Sequence, residues 1–109
     1  MIVSKNISLS KLKEAKLLFQ EVLTRGTLSV EVYRPVKVDL QKPHVRDEVY
    51  VVISGSGKFF CAGERSSFAQ GDLLFVPAGV EHRFEDFTED FSTWVIFYGP
   101  DGGEEPREG

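Results

Sequence analysis

The chain has two histidines, His44 and His82, and each stands beside carboxylates rather than inside an apolar run. In the stretch KPHVRDEVYVVISGSG, residues 42 to 57, His44 and Glu48 are four positions apart. Even offsets along an extended chain share a face, so both point the same way, together with Tyr50 and Val52. If the strand that begins at His82 lies beside this one, two imidazoles and one carboxylate meet with coordination positions left open. That is the two-His-one-carboxylate donor set of non-haem iron and related sites. Spacing alone equally permits two ordinary hydrogen-bonded surface histidines.

Positioning such a set requires strands, and the sequence supplies them. Residues 10 to 24, SKLKEAKLLFQEVLT, carry Leu12, Ala15, Leu18 or Phe19, and Val22 at helical spacing. Ser10 is the expected cap and Gly26 stands just past the end, so the pattern predicts a short amphipathic helix. After Gly26 the period changes to two, with Leu28, Val30 and Val32 alternating against Thr27, Ser29 and Glu31. From there to residue 98, short β-rich runs alternate with turn signals at SGSG, CAGERS, AQGD, PAGVE and EDFTED. This is the rhythm of an all-β barrel or sandwich. EVYVVI and WVIFY are apolar on both faces, so their outer faces need a cover, either the N-terminal helix or a second subunit.

Composition sets the bounds. A length of 109 residues suits one compact domain, and 41% hydrophobic with 28% charged residues is ordinary for a globular chain. A net charge of -4 offers no basic patch for phosphate backbones, which excludes nucleic acid as an expected partner. The single cysteine, Cys61, forms no internal disulfide and reads as a small buried apolar residue. No apolar run reaches membrane-spanning length, and MIVSKNISLS lacks the layout of a secretory signal, so the expected location is cytoplasmic. The last residues, 101 to 109, have too few apolar groups to offset ordering entropy and are expected to form a flexible tail.

A second stretch narrows the reading. GDLLFVPAGVEHRFED places Gly71, Pro77, Gly79, His82 and Asp86 at offsets that resemble the second motif of the cupin family, with Asp86 where the family has Asn. His44, Glu48 and Gly55 are similar to that family's first motif. The resemblance covers motif 1 at 42 to 57 and motif 2 at 71 to 86. It implies one domain over residues 1 to 100, all-β, a double-stranded β-helix (jelly-roll) barrel with a short N-terminal helix. It also departs from the family: Lys42 replaces the first histidine of the paired motif, and Val36 replaces an earlier glycine.

The resemblance thus implies three metal ligands, His44, Glu48 and His82, holding one divalent ion, Zn, Mn, Ni or Fe. Gln41 is the candidate fourth ligand; Lys42 is the residue that could instead place an ammonium near the site. Tyr50, Phe84 and Trp94, with Tyr33 and Tyr98, are either core aromatics or the lining of a small-molecule pocket. Arg46 and Asp47 are expected to form a solvated pair at the rim. The function expected is a metal-binding small cupin acting as an enzyme on a small molecule, of oxygenase or isomerase type. The alternatives are a binding or sensing module without catalysis and a metal-free structural barrel. Val49, Val51 and Ile53 on the outer face predict a homodimer.

Overall fold

The protein is described here as a computed structural model covering residues 1–107. Helix α1, Lys5–Ala15, is capped by Ser4, whose hydroxyl accepts from the Ile7 N–H at 3.3 Å. It ends at Lys16, where a left-handed φ of 56° turns the backbone N–H back onto the Leu12 and Lys13 carbonyls. The helix expected over 10 to 24 is therefore half right. Its second half is strand β1, Phe19–Arg25, which pairs antiparallel with β2, Leu28–Tyr33. Tertiary pairing overrides a helical spacing here. Gly26, with φ of 57°, serves the hairpin between them and caps no helix.

Six further strands follow: β3 Asp47–Ser54, β4 Ser56–Cys61, β5 Glu64–Ala69, β6 Leu73–Val76, β7 His82–Glu85 and β8 Ser92–Tyr98. One sheet has the order β1-β2-β8-β3-β6, the other β5-β4-β7. Their facing sides enclose a core that includes Tyr50, Val52, Phe59, Phe68, Phe84 and Phe91. Rings in this core meet edge-on or tilted, with centroids 4.6 Å apart for Phe84 and Phe91 and 4.8 Å for Tyr50 and Phe84. This is the two-sheet jelly roll the sequence implies.

Register decides what faces inward. Glu48 lies opposite Phe97, which lies opposite Ser29; one row on, Tyr50, Val95, Glu31 and Glu21 stand side by side. Both rows of this inner face carry carboxylates beside aromatic side chains. On the outer face, α1 lays Leu12 against Val32 and Ile53, with Trp94 packed beside them. Burying Leu12 contributes about 1.5–3 kcal/mol. Val49 and Val51 remain half-buried, and Leu73 and Phe75 are exposed.

Two motif positions have a local cause. At Gly55, φ is 85° and a Cβ would lie 2.6 Å from the Phe91 Cα, so only glycine fits. Asp86 has φ of 48°, a conformation that Asp and Asn tolerate far better than bulkier residues. Two residues of the expected tail make backbone N–H hydrogen bonds to the loop and strand around Val45 and Asp47. Gly102 N–H donates to the Val45 carbonyl at 2.7 Å, and Glu104 N–H to Asp47 Oδ2 at 2.8 Å. Residues 108 and 109 of that expected tail lie outside the described residues.

Candidate metal centre

Strand β3 brings Glu48 to the barrel interior, β7 brings His82, and the loop ahead of β3 brings His44. One donor atom from each lies within 4.8 Å of the others. His82 Nε2 is 3.1 Å from Glu48 Oε1, and His44 Nε2 is 3.9 Å from Glu48 Oε2. Glu48 is 0% and His82 2% exposed, so neither donor has bulk water as a partner.

Glu48 Oε1, Glu48 Oε2 and His82 Nε2 have no hydrogen-bond partner despite complete burial. The 3.1 Å approach between His82 and Glu48 is close enough for a hydrogen bond but lacks its directionality. Buried polar atoms left without partners cost about 1–3 kcal/mol each, more when charged. Three such atoms aimed at one point are chemically satisfied together by a cation. The donor set, imidazole nitrogen and carboxylate oxygen, suits a first-row divalent ion.

Surrounding groups hold these donors in the required state. His82 Nδ1 lies 2.9 Å from the Val80 carbonyl, which fixes the Nδ1–H tautomer and leaves the Nε2 lone pair facing Glu48. Burial lowers the His82 pKa, but the Glu48 contact, the Val80 carbonyl and the carboxylate charges outweigh it, and the net shift is upward. The Gly79 N–H donates to the His44 carbonyl at 2.6 Å, so the turn of the second motif braces the loop of the first.

Gln41 is brought to this centre. Its Nε2 donates to Asp39 Oδ2 at 2.9 Å, which orients the amide so that Oε1 faces the cluster, 3.3 Å from His44 Nε2 and 2.9 Å from the Tyr50 hydroxyl. Asp39, buried, also accepts from the Tyr33 hydroxyl at 2.6 Å and the Phe84 N–H at 2.8 Å. Burial and then the Glu48 charge keep the Tyr50 phenol well above its ordinary pKa, so it stays a proton donor.

The remaining candidates fall elsewhere. Lys42 is exposed and forms no ion pair with the cluster among the described residues. Phe84 is core, in contact with the rings of Tyr50, Phe59, Phe68 and Phe91. Trp94 is excluded from the interior by parity, since its neighbour Val95 faces inward and it packs on the outer face near α1. Arg46 and Asp47 are not a solvated pair. Arg46 donates to the Thr27 carbonyl and stands over the Phe97 ring at 5.7 Å. Asp47, 5% exposed, accepts from the Ala78 and Glu104 N–H groups. Burial and the Glu48 charge push the Cys61 thiol up, as befits an unreactive sulfur.

Sequence reading missed Asp39 and Glu31. Glu31 is a carboxylate whose inward parity is set by strand pairing, and Asp39 lies in the loop ahead of β3, where no periodicity marks it. Beside His44 opens a cavity of about 250 Å³ whose wall includes Phe19, Glu31, Tyr33, Gln41 and Phe97. A cleft of about 300 Å³ bounded by Arg34, Pro35, Phe87 and Glu89 holds none of the three clustered donors.

With this geometry in place, residues 29–97 match the cupin domain family Cupin_2. The chain belongs to the cupin family. An uncharacterized Streptomyces coelicolor protein, SCO3923, is 43% identical over 85 residues, which is 76% of this cupin and 81% of the relative. Among solved structures, a cupin 2 conserved barrel domain protein from Salinispora arenicola CNS-205 superposes with a TM-score of 0.61 at 17% identity, covering 74% of each chain. The DMSP lyase DddQ from Ruegeria pomeroyi superposes with a TM-score of 0.64 at 21% identity, over 74% of this cupin and 46% of the lyase. These two likenesses show the barrel. No helix among the described residues is long and apolar enough to cross a membrane.

Proposed function

We propose that this cupin binds one divalent metal ion through His44, Glu48 and His82, with Gln41 Oε1 as the fourth protein donor, and acts as an enzyme on a small molecule admitted by the cavity beside His44. The observation that carries the reading is the set of three buried, unpartnered donor atoms on Glu48 and His82. A structural barrel without a metal would leave them unsatisfied at a cost of several kcal/mol. When bound, the ion supplies Lewis acidity at a position where a substrate oxygen can approach. The chain's own groups do the rest: Val80 and Asp39 orient the donors, Tyr50 keeps a proton available, and the buried rings of Phe59 and Phe84 exclude water. The cupin barrel of DddQ, a DMSP lyase, supports enzymatic use by analogy of fold alone.

Elemental analysis of protein purified without chelators tests the metal. About one equivalent of a first-row metal is expected, and less than a tenth of an equivalent after incubation with each of Zn, Mn, Ni and Fe would refute it. Oxygen uptake and turnover with carbonyl, phenolic and thiol compounds then separate an enzyme from a binding module.

A further inference from the structure

Glu31 stands in the middle of β2, half-buried, facing inward from the row that holds Tyr50 and Val95. Among the described residues it has no hydrogen-bond or ion-pair partner, whereas its cross-strand neighbour Glu21 accepts from the Ser29 hydroxyl at 2.8 Å. The cavity it lines carries aromatic rings from Phe19, Tyr33 and Phe97, and no Lys or Arg. Arg46 lines the adjoining cleft, whose wall Glu31, His44 and Phe97 share; its guanidinium is engaged by the Thr27 carbonyl and the Phe97 ring. An aromatic wall with one free carboxylate and no cation is the surface that recognises an organic ammonium, through charge pairing at one end and cation–π contact around it. Without metal, an anionic ligand would meet the Glu31 carboxylate with no cationic Lys or Arg in the cavity wall among the described residues.

We propose that the cavity beside His44 selects small molecules that carry an ammonium group on an aromatic or aliphatic body, and that Glu31 is the residue that reads the charge. The proposal rests on the metal-centre reading for one point, that the ligand's other end faces His44 and Gln41. Burial, Glu21 and Glu48 all push the Glu31 carboxyl pKa up, and a bound cation would relieve that unfavourable field. The volume, about 250 Å³, fits one ring with a short arm.

Three probes of one shape separate the charges: 2-phenylethylamine, 2-phenylethanol and phenylacetate, titrated by calorimetry into zinc-treated and metal-free protein. In metal-free protein the amine should bind about tenfold more tightly than the alcohol, and phenylacetate most weakly. In Glu31→Gln the amine's advantage should shrink to within about twofold while the alcohol's affinity holds. In metal-free protein, phenylacetate binding as well as the amine, no amine binding at millimolar concentration, or an advantage that survives in Glu31→Gln each overturns the proposal. The wild-type ranking needs no variant, so it stands even if Glu31→Gln fails to fold. Chelator competition on the same samples keeps the two readings apart. An amine preference in protein that takes up none of Zn, Mn, Ni and Fe sinks the metal centre alone, and stoichiometric metal without the preference sinks this inference alone.

Discussion

Replacing His82 by Ala removes the donor whose orientation the fold fixes most completely, with Nδ1 at the Val80 carbonyl and Nε2 at Glu48. Two effects must be separated. The ring is 2% exposed, near the rings of Tyr50 and Phe59, so its loss leaves a cavity that costs roughly 1–3 kcal/mol with or without metal. The second effect is specific. A metal present at a hundredfold excess over its dissociation constant stabilises the native wild type by about 2.7 kcal/mol. For a domain of this size each kcal/mol moves the melting temperature by about 4–8 °C, so metal should raise it by roughly 11–22 °C. His82→Ala should melt lower than wild type without metal and gain almost nothing when metal is added. The assay is a pair of thermal melts per protein, with chelator and with metal, and the decisive quantity is the metal-dependent increment. An increment in His82→Ala equal to that of wild type would refute the assignment, because one imidazole, one carboxylate and the neutral Gln41 amide do not match the affinity of the full donor set.

Gln41→Ala should weaken metal binding about tenfold in chelator competition, whereas Lys42→Ala, a change at an exposed side chain, should leave it within about twofold. Because the His82 pKa is raised in the metal-free protein, that group's stabilising contribution is complete below pH 6.5 and is lost as pH rises through the native value. Metal binding needs the neutral ring, so metal-dependent stabilisation should grow over the same interval. Melts from pH 5.5 to 8.5 that gave both forms the same slope would contradict this. On the outer face, Val49 and Val51 with the exposed Leu73 and Phe75 are expected to pair with a second copy, and Val51→Glu should yield monomers or aggregate. A monomer mass for the wild type by light scattering at micromolar concentration rejects that pairing.

Much of the barrel was legible because its turns make demands only a few residues meet. Gly55 has no room for a side chain, and Asp86 occupies a left-handed conformation, so both mark the motifs at fixed offsets. The family resemblance those offsets carry implied the set His44, Glu48 and His82, one donor atom of each of which lies within 4.8 Å of the others. What stayed hidden depended on pairing. Residues 19 to 25 carry apolar groups at positions compatible with helix and strand alike, and only the ladder with β2 decides between them. In β2 the alternation is visible, yet the apolar set, Val30 and Val32, belongs to the outer face, while Ser29, Glu31 and Tyr33 face the interior. Apolar-inside reasoning fails there because α1 makes the outside dry and the site makes the inside polar. Asp47 was misread for a similar reason: its partners, Ala78 and Glu104, are backbone groups of remote segments with no mark in the sequence.

The position of β8 has a consequence for how the molecule forms. It is the last strand in the chain and the middle strand of the larger sheet, between β2 and β3. The hairpin of β1 and β2 therefore has no sheet to join until residues 92–98 arrive, and such long-range pairing is slow, on the order of milliseconds to seconds. All the clustered donors precede that step in the chain, while Val95 and Phe97, which close the ligand cavity, are part of it. The donor cluster should assemble first and the cavity last. Trp94, the only tryptophan, lies in β8 and reports sheet closure directly. During refolding, metal uptake should precede the change in its fluorescence, and simultaneous signals would mean that the barrel closes in a single step.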